Sequence, residues 1–436
     1  MRRWLDLSPD GRVAQARVTA SSAAPSLLAL GQKLFAIFRS IRVIAALVAL
    51  LCASSGASEP ERIGFGIRSS GLAGTGAATA DDYEATYANP AGLAWARHRR
   101  LTLGYVMGEF DLALDGASRS MEGTYGILLG ADLPLPLGGP LQDRLALGLG
   151  FYLPTGVINR ARAPLPDKPW LPLLDSTTQT VSVMVSGALR LTDRLGIGGG
   201  VLALAALEGV IRLQADAAGH TTSQSEQQLI TDFSPILGAR LDLTSALHLG
   251  ATFRGASQSR YHTVIEGKLG NSVPFALPAF SIQGTSQYDP LQALLESAYQ
   301  RGHWLFAAQL TYKHWSAYVH PNQPATAGAM PPPPPEFHDT VVPRAALEWQ
   351  HDGKRVHWRA RGGYFFEWSP TPDAGPTRTL IDASQHVIAL GGELNVESRH
   401  APFRVELFFQ WHQLQPNERV RGGFGVGGLS ASVELK

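Results

Sequence analysis

The chain has 436 residues, of which 17% are charged, and it contains 46 glycines, 29 prolines and one cysteine. A charged fraction this low indicates that part of the surface faces something other than water. The formal net charge is only +1, which excludes the strongly basic surface of a nucleic-acid-binding protein. No run of about 18 apolar residues occurs in the body of the chain, which argues against membrane-spanning helices. Alternating strands, in contrast, give a mean hydropathy near zero, as found here at −0.02.

Residues 1–57 have the features of an extended leader with a secretory signal. Arg39 and Arg42 precede the apolar run 43–51 (VIAALVALL), and small residues follow it up to a cleavage point before Ser58. Removal of this segment takes away seven basic and two acidic residues and changes the formal net charge from +1 to −4. We therefore expect an exported protein that begins near residue 58.

The same cleavage removes Cys52, so disulfide and thiol chemistry are not expected in the mature chain. The alternative is that Cys52 is a lipidation site. Leu51 stands directly before it, where a lipoprotein signal carries a small residue, so the sequence favours an ordinary signal peptide.

The next feature is the segment 71–94, GLAGTGAATADDYEATYANPAGLA. Its glycines, which include Gly71 and Gly74, permit close approach to another surface. In the triplet Asn89-Pro90-Ala91, proline fixes its own φ and biases Asn89 toward an extended conformation, which predicts a defined bend. The glycine spacing does not match a dinucleotide-binding fingerprint, and no strand precedes it.

From residue 100 onward the sequence predicts membrane-crossing β-strands. The clearest is 355–368, where polar and apolar residues alternate with a period of two over about the length that crosses a bilayer. One face carries Arg355, His357, Arg359, Arg361 and Glu367, and the other carries Val356, Trp358, Ala360, Tyr364, Phe366 and Trp368. The same alternation occurs in 181–191, 304–313 and 403–412. A soluble β-sandwich also alternates, but aromatic residues near the strand ends after an export signal favour a transmembrane barrel.

Fourteen such strands are predicted, an even number as a closed antiparallel bacterial barrel requires. They are 100–113, 121–132, 143–153, 178–192, 194–207, 229–243, 245–267, 289–300, 303–315, 340–350, 355–368, 385–396, 402–413 and 427–436. Short and long connections alternate, which places both ends of the barrel on the periplasmic side. Segment 289–300 also fits a short capped helix, but without this strand the count becomes odd.

Several of these segments resemble the FadL-like long-chain fatty acid transporters. The resemblance is carried by Asn89-Pro-Ala91 just before the first strand, by 145–156 (LALGLGFYLPTG), by Lys313-His-Trp-Ser316, and by Arg361-Gly-Gly-Tyr364 with the following SPTPD. It spans nearly all of residues 62–436. The chain departs from outer-membrane barrels in ending on Lys436 rather than on an aromatic residue.

The resemblance implies an all-β protein in the outer membrane of a Gram-negative bacterium. Residues 58–99 then form a hatch, or plug, inside a barrel of residues 100–436. The implied function is passive, non-enzymatic uptake of a long-chain fatty acid or similar hydrophobic compound by a monomer without cofactors. Partners are the ligand, outer-membrane lipid and lipopolysaccharide, and the barrel assembly machinery. In the hatch, Gly71, Gly74, Asn89, Pro90 and Ala91 take the positions that rearrange for ligand passage.

Three further groups of residues are candidate parts of a transport path. The long loop at 163–174 is unusually apolar for an exposed segment and supplies Leu165, Trp170, Leu171, Leu173 and Leu174 for ligand capture. Its alternative role is to cap the barrel mouth. Lumen-facing Arg344, Arg359, Arg361 and Arg404 are candidates for the ligand carboxylate. Their alternative partners are the lumen acids Glu348, Glu367, Glu393 and Glu406. Gly148 and Gly150 weaken a strand and indicate either a kink beside a lateral opening or close packing.

Other functions are less well supported by the sequence. No nucleophile elbow or His-Glu-x-x-His motif is present, so neither an enzyme nor a metal site is predicted. An aromatic hydrocarbon channel and a non-transporting barrel scaffold in secretion or assembly remain open. A general polar porin would have no hatch.

Overall fold

The structure is a computed structural model that describes residues 60–119, 121, 123–155, 159–160, 169–174, 179–215, 221–269, 279–323, 332–372, 375, 378–398 and 402–435. The predicted leader 1–57 lies outside these residues. Within the described residues, no helix has the length and apolar character needed to cross a membrane.

A closed barrel of fourteen antiparallel strands forms the body of the molecule. Closure is direct, because the first strand, β1 (Arg99–Leu114), pairs with the last, β20 (Val420–Leu435), from Arg99↔Leu435 to Leu114↔Val420. The wall strands are β1 (Arg99–Leu114), β3 (Thr124–Leu135), β4 (Leu145–Pro154), β7 (Ser182–Arg190), β8 (Leu195–Ala215), β9 (Thr221–Asp242), β10 (Leu247–Arg254), β13 (Gln292–Arg301), β14 (Trp304–Lys313), β16 (Thr340–Asp352), β17 (Val356–Glu367), β18 (Gln385–Val396), β19 (Phe403–Leu414) and β20 (Val420–Leu435).

Six shorter or branching strands lie outside the wall. They are β2 (Ala117–Arg119), β5 (Asn159–Arg160), β6 (Gln179–Thr180), β11 (Ser257–Leu269), β12 (Phe280–Asp289) and β15 (Asn322–Gln323). Among the described residues, two connections contain a single turn of 3-10 helix, Gly139–Leu141 and Trp315–Ala317. The long connections all lie at the end of the barrel opposite to the strand ends Arg99 and Leu435. The short turns and both of these strand ends share one end of the barrel, and the location of that end on the periplasmic side stays a prediction.

The alternation along each strand sorts side chains between the lumen and the outside. In β14, Trp304, Phe306 and Leu310 are exposed, whereas Leu305 and Lys313 are buried. Because the lumen is filled, a buried residue in this barrel is one that points inward. The outer surface therefore consists of large apolar side chains, as lipid contact requires.

Aromatic residues form bands at both ends of the wall. Near the short turns, the rings of Trp349 and Trp358 are 4.4 Å apart and those of Trp304 and Trp349 are 6.4 Å apart. Near the long loops, Trp368 and Trp411 are exposed on the outer face. These bands match the girdles that position a barrel in the bilayer interfaces.

The ambiguous segment 289–300 is a strand, as predicted. It forms β13, which pairs with β10 on one side and with β14 on the other. The helix alternative is wrong because the inward-pointing Leu294, Glu296 and Ala298 alternate with exposed neighbours at a period of two.

Two predictions about the long connections were wrong. The predicted strand 245–267 breaks after Arg254, where the β9–β10 ladder ends beside Pro235, which has no N–H to donate. The chain continues as β11, which leaves the wall and pairs in parallel with the upper half of β8, from Tyr261↔Leu207. The predicted loop 208–228 is largely a hairpin extension of β8 and β9. It was predicted as a long connection between strands 194–207 and 229–243, but a ladder outside the bilayer does not need the outward apolar side chains by which strands were recognised.

Residues 60–96, which we call the plug, fill the lumen. The plug contains α1 (Pro60–Ile63), α2 (Ile67–Gly71), α3 (Ala85–Ala88) and a 3-10 helix (Pro90–Trp95). Most of its side chains are buried against the inward faces of the wall. Short helices with glycines between them let one segment of chain turn repeatedly inside a narrow space.

Candidate functional site

The Asn-Pro-Ala triplet forms a close contact between plug and wall. Asn89 is fully buried; its side-chain oxygen accepts a hydrogen bond from the Ala91 amide (3.1 Å) and so caps the 3-10 helix. Its side-chain nitrogen donates to the carbonyls of Ala77 (2.6 Å) in the plug and Ala239 (2.9 Å) in β9. Asn89 therefore joins two parts of the plug to the barrel wall.

Two wall glycines make room for this triplet. Gly198 in β8 and Gly238 in β9 are paired across the ladder. A Cβ atom at Gly238 would overlap the Asn89 side-chain oxygen, and one at Gly198 would overlap the backbone of Pro90 and Ala91. Sequence reasoning missed both residues. The signal was present in the run Gly196-Ile-Gly198, where glycines alternate with an outward apolar residue.

A second contact holds the turn before α3. The carboxylate of Glu296, from β13, accepts hydrogen bonds from three successive plug amides: Gly76 (2.7 Å), Ala77 (2.8 Å) and Ala78 (3.2 Å). Three backbone donors that converge on one anion form an anion-binding nest. Glu296 was also missed, because nothing local in the sequence marks one inward glutamate as a partner for backbone amides.

The predicted hatch glycines both lie against lumen arginines. Gly71, in α2, packs on the Cα atom of Gly391 and on the Arg361 side chain, so an added Cβ would be about 3.2 Å from each. Gly74 has φ of +79°, which favours glycine, and its added Cβ would lie 2.8 Å from the Arg344 guanidinium. The structure thus brings the predicted hatch residues and two of the predicted arginines together.

Arg361 is the centre of a buried ion network. Its guanidinium lies 3.1 Å from Glu348, 2.7 Å from Glu393 and 3.1 Å from Glu406. Arg68, from α2 of the plug, also pairs with Glu348 (3.1 Å). Buried charges require such partners, because an unpaired charge is costly to remove from water.

Arg404 binds the plug directly. Its guanidinium lies 2.6 Å from the Asp82 carboxylate, which Arg100 also approaches at 3.7 Å. Burial alone would raise the pKa of Asp82, but Arg404 and Arg100 hold it below its usual value. Asp82 is therefore ionised and forms a charged link between plug and wall.

Glu84 lies next to this link and is held differently. Its carboxyl oxygens accept hydrogen bonds from the amides of Arg68 and Ser69, both at 2.8 Å, and so tie the start of α3 to α2. Burial, together with the nearby charges of Asp82 and Glu406, raises the pKa of Glu84 to about 8.

The remaining two predicted arginines differ in their surroundings. Arg359 is half-buried and lies 3.7 Å from Glu393. Arg344 donates to the Ala73 carbonyl (2.8 Å) and stacks over Phe365 at 4.0 Å. For Arg359, Arg361 and Arg404, the geometry therefore matches the alternative in which lumen arginines pair with lumen acids.

The apolar loop lies over the barrel mouth. Trp170, Leu171 and Leu174 are buried, and the Trp170 amide donates to the Thr379 carbonyl (2.7 Å) of the neighbouring loop. Leu173 packs at the edge of a cluster with Trp170, Trp315, Phe337 and Leu380. Leu165 lies outside the described residues. The loop thus has the capping position that was the alternative to an open capture surface.

The cap and the plug share one apolar cluster. Leu171 and Leu174 belong to the same buried cluster as Ile63, Phe65 and Tyr87 of the plug. Arg62 adds a polar link, because it donates to the Leu174 carbonyl at 3.2 Å. One buried apolar cluster therefore joins the loop at the barrel mouth to the plug.

Gly148 and Gly150 do not form a kink. The ladders of β4 with β3 and with β7 pass through both residues without a shift of register. Added Cβ atoms would overlap Thr86, Leu93 and Phe65 of the plug. Close packing, the alternative in the sequence, is what these glycines provide.

A small polar cavity lies between α1 and the wall strands β10, β13, β14 and β16. Its volume is about 30 Å³, room for roughly one water molecule. Glu61, Arg254, Lys313 and Arg344 are its charged lining residues. Among the described residues, no group of three or more His, Cys, Asp or Glu side chains is arranged to hold a metal ion.

Comparison with known proteins gives matches in structure but none in sequence. No family model and no curated protein matches the chain. Among solved structures, a Pseudomonas aeruginosa FadL homologue aligns with a TM-score of 0.58 and 16% identity, over 85% of this chain and 98% of that chain. The chain has the fold of the FadL-like outer-membrane transporters.

Two structures of hydrocarbon channels are also similar. The Ralstonia pickettii toluene transporter TbuX aligns with a TM-score of 0.55 and 14% identity, over 86% of this chain and 99% of that chain. The CymD monoaromatic hydrocarbon channel aligns with a TM-score of 0.52 and 15% identity, over 86% and 98%. The FadL-like fold is thus found in proteins whose names indicate different ligands.

Proposed function

We propose that this protein is a passive outer-membrane channel for the uptake of hydrophobic small molecules, with long-chain fatty acids as its ligands. One observation carries the proposal: the apolar cluster that joins the mouth loop to the plug. An amphiphile that leaves the polar outer leaflet needs an apolar surface to which its tail binds. It also needs a plug that can move out of its way. Leu171 and Leu174 with Phe65 and Tyr87 supply the first, and the plug is the second.

The contacts that hold the plug support a movable obstacle. They include hydrogen bonds and ion pairs through Asn89, Glu296 and Asp82, together with close packing on glycines and apolar packing of plug side chains on the wall, and no disulfide is available to fix the plug. The charged end of an amphiphile can exchange partners with the polar contacts, and its tail can replace the apolar ones. We propose that the hatch residues Gly71, Gly74, Asn89, Pro90 and Ala91 move as ligand passes.

Location and partners follow from the same proposal. The apolar outer surface and the two aromatic bands suit the outer membrane of a Gram-negative bacterium, with lipid and lipopolysaccharide around a monomeric barrel inserted by the assembly machinery. Residues 1–57 act as the leader and are absent from the mature protein.

Aromatic hydrocarbons are the second candidate ligand class. The similarity in fold to TbuX and CymD favours them as much as it favours fatty acids. A scaffold without transport would share the fold and lack uptake of either class.

Uptake in cells tests the proposal. Labelled oleate and labelled toluene are offered to Gram-negative cells that lack their own transporters and express either this protein or a variant without residues 62–94. Heat-modifiable migration on gels first confirms that both barrels assemble. We expect oleate uptake several-fold above the empty-vector control for the intact protein, and altered uptake for the deletion. An assembled protein that takes up toluene but not oleate would move the assignment to hydrocarbons, and uptake of neither would favour a scaffold.

A further inference from the structure

The cavity beneath the barrel mouth has an excess of positive charge. Arg254, Lys313 and Arg344 line it, and Glu61 is its one acidic lining residue. Lys313 also pairs with Glu367 of β17, so three cations face two carboxylates. Glu61 belongs to α1 of the plug, whereas the three cations belong to the wall. The plug therefore inserts a carboxylate into a basic site on the barrel.

Glu61 is bound by the donors that a ligand carboxylate would use. Its carboxylate lies 2.7 Å from the Lys313 ammonium and accepts hydrogen bonds from the Tyr87 hydroxyl (3.2 Å) and from the Gln292 side-chain amide. Burial would raise the pKa of Glu61, but Lys313 and Arg254 hold it below its usual value, so the group is an anion at neutral pH.

Two of the cations have no direct acidic partner. Arg254 donates to the Tyr87 carbonyl (3.2 Å) and to the Gln292 side-chain oxygen (2.6 Å), and Arg344 donates to the Ala73 carbonyl. Among the described residues, no acid lies within ion-pair distance of either guanidinium. Since buried charges are normally paired, the site favours an additional or replacement anion.

We infer that Glu61 occupies, in the closed channel, the position that the carboxylate of a long-chain ligand takes during uptake. The exchange replaces one carboxylate by another on Lys313, Gln292 and Tyr87, so the net charge of the buried site does not change. Because both carboxylates use the same donors, the ligand carboxylate binds there only as Glu61 leaves.

Release of Glu61 has a consequence at the mouth. Arg62 is its direct neighbour in α1 and donates to the Leu174 carbonyl in the capping loop. When α1 moves, this bond is lost and the apolar cluster that contains Ile63, Leu171 and Leu174 is disturbed. The inference rests on the proposed function, and it names carboxylate-bearing amphiphiles as the ligands that open the plug.

The variant Glu61→Gln tests the exchange with a near-isosteric side chain. Purified wild-type and variant barrels in amphipol are equilibrated by dialysis with albumin-buffered labelled oleate, and separately with oleyl alcohol, which has the same tail and no carboxylate. We expect Glu61→Gln to lower the Kd for oleate by about tenfold, because the internal competitor is neutral. The Kd for oleyl alcohol should change by less than about twofold. Glu397→Gln, which neutralises an exposed carboxylate in a periplasmic turn, should change neither Kd.

A second variant identifies the site. Added to Glu61→Gln, the change Tyr87→Phe removes one donor and should weaken oleate binding by about threefold without affecting oleyl alcohol. Equal effects of Glu61→Gln on both ligands, or no effect on either, would overturn the exchange while leaving hydrophobe binding intact. If neither ligand binds to any of the barrels, the exchange and the transport proposal both fail.

Discussion

Gly198 and Gly238 face each other across the β8–β9 ladder and leave the space that Asn89 and Pro90 fill. A methyl group on Gly238 would overlap the Asn89 side chain, whereas Gly199 faces outward, where the nearest atom to an added Cβ is 3.4 Å away on Leu237. Gly238 and Gly199 therefore lie in the same region of the β8–β9 ladder, but only Gly238 contacts the plug.

We expect Gly238→Ala to displace the Asn-Pro-Ala segment at a cost of about 1–3 kcal/mol, as overpacking does elsewhere. Limited proteolysis of the plug in detergent-solubilised protein measures the effect, and cleavage should be faster than in wild type. Gly199→Ala is the matched control and should retain the wild-type pattern. Equal proteolysis of all three proteins would contradict the view that these glycines seat the plug.

The ion network makes a contrasting prediction for two arginines in one strand. Arg361 contacts three buried glutamates, and Arg359 has a single contact at 3.7 Å on a half-buried side chain. Arg361→Met should lower stability by about 3–5 kcal/mol because it leaves buried carboxylates unpaired. Arg359→Met should cost at most about 1 kcal/mol. The temperature at which heat-modifiable migration is lost ranks the variants, and a larger loss for Arg359→Met would be inconsistent with the network.

For individual residues, the sequence predicted which side chains face the lumen better than it predicted which residues they pair with. Arg361 and Arg404 were found because guanidinium groups alternate with apolar residues along their strands. Their partners were not decided, since a lumen arginine can bind a ligand or a wall acid, and only the fold brings Asp82 next to Arg404. Glu296 was missed altogether, because its partners are backbone amides of a distant segment.

Among elements, the strands of the wall were the most predictable part. Alternation over a bilayer-length segment depends only on which side chains face lipid, so β14, β17 and β19 follow from the sequence. The barrel's parity also identified β13, whose composition fits a helix equally well. The branch of β11 from the wall was not predictable, since it depends on the end of the β9–β10 ladder beside Pro235 and on parallel pairing with β8.

Within the plug, Glu84 links α2 and α3 in a pH-dependent way. It is protonated in the folded plug up to about pH 8, whereas an exposed glutamate ionises near 4.5. A folded pKa above the unfolded pKa means that its stabilising contribution is complete below 4.5 and is lost as the pH rises toward 8. Asp82 and Glu406 are the charged neighbours that strengthen this effect.

We therefore expect the amides of residues 67–71 to exchange hydrogen faster relative to their intrinsic rate as the pH rises from about 5 to 8. Hydrogen exchange measured by mass spectrometry over this segment checks the trend. In Glu84→Gln, which is neutral throughout, the trend should largely disappear. A pH trend of equal size in both proteins would assign it to other groups.

For the whole molecule, the plug is what distinguishes this barrel from an open pore. Fourteen strands lie between the eight-stranded barrels that side chains fill and the larger porins that enclose water. Deletion of residues 62–94 should convert a barrel with little ion conductance into one that conducts steadily in planar bilayers. Similar low conductance for both assembled proteins would mean that the loops at the mouth, not the plug, close the lumen.

The central claim is that ligand binding moves the plug, and the accessibility of a plug residue tests it most directly. Ser69 lies in α2, is buried and lines the polar cavity, and Ser69→Cys is nearly isosteric. The one natural cysteine, Cys52, lies in the predicted leader and is changed to serine in both test proteins. Ser118→Cys, in the exposed hairpin strand β2, controls for the reagent.

The measurement is the rate at which a membrane-impermeant maleimide labels Ser69→Cys in intact cells, with and without oleate. We predict slow labelling without ligand, a several-fold higher rate with oleate, and no increase with oleyl alcohol, while Ser118→Cys reacts rapidly throughout. A rate for Ser69→Cys that oleate leaves unchanged, in cells that take up oleate, would contradict a plug that moves for its ligand.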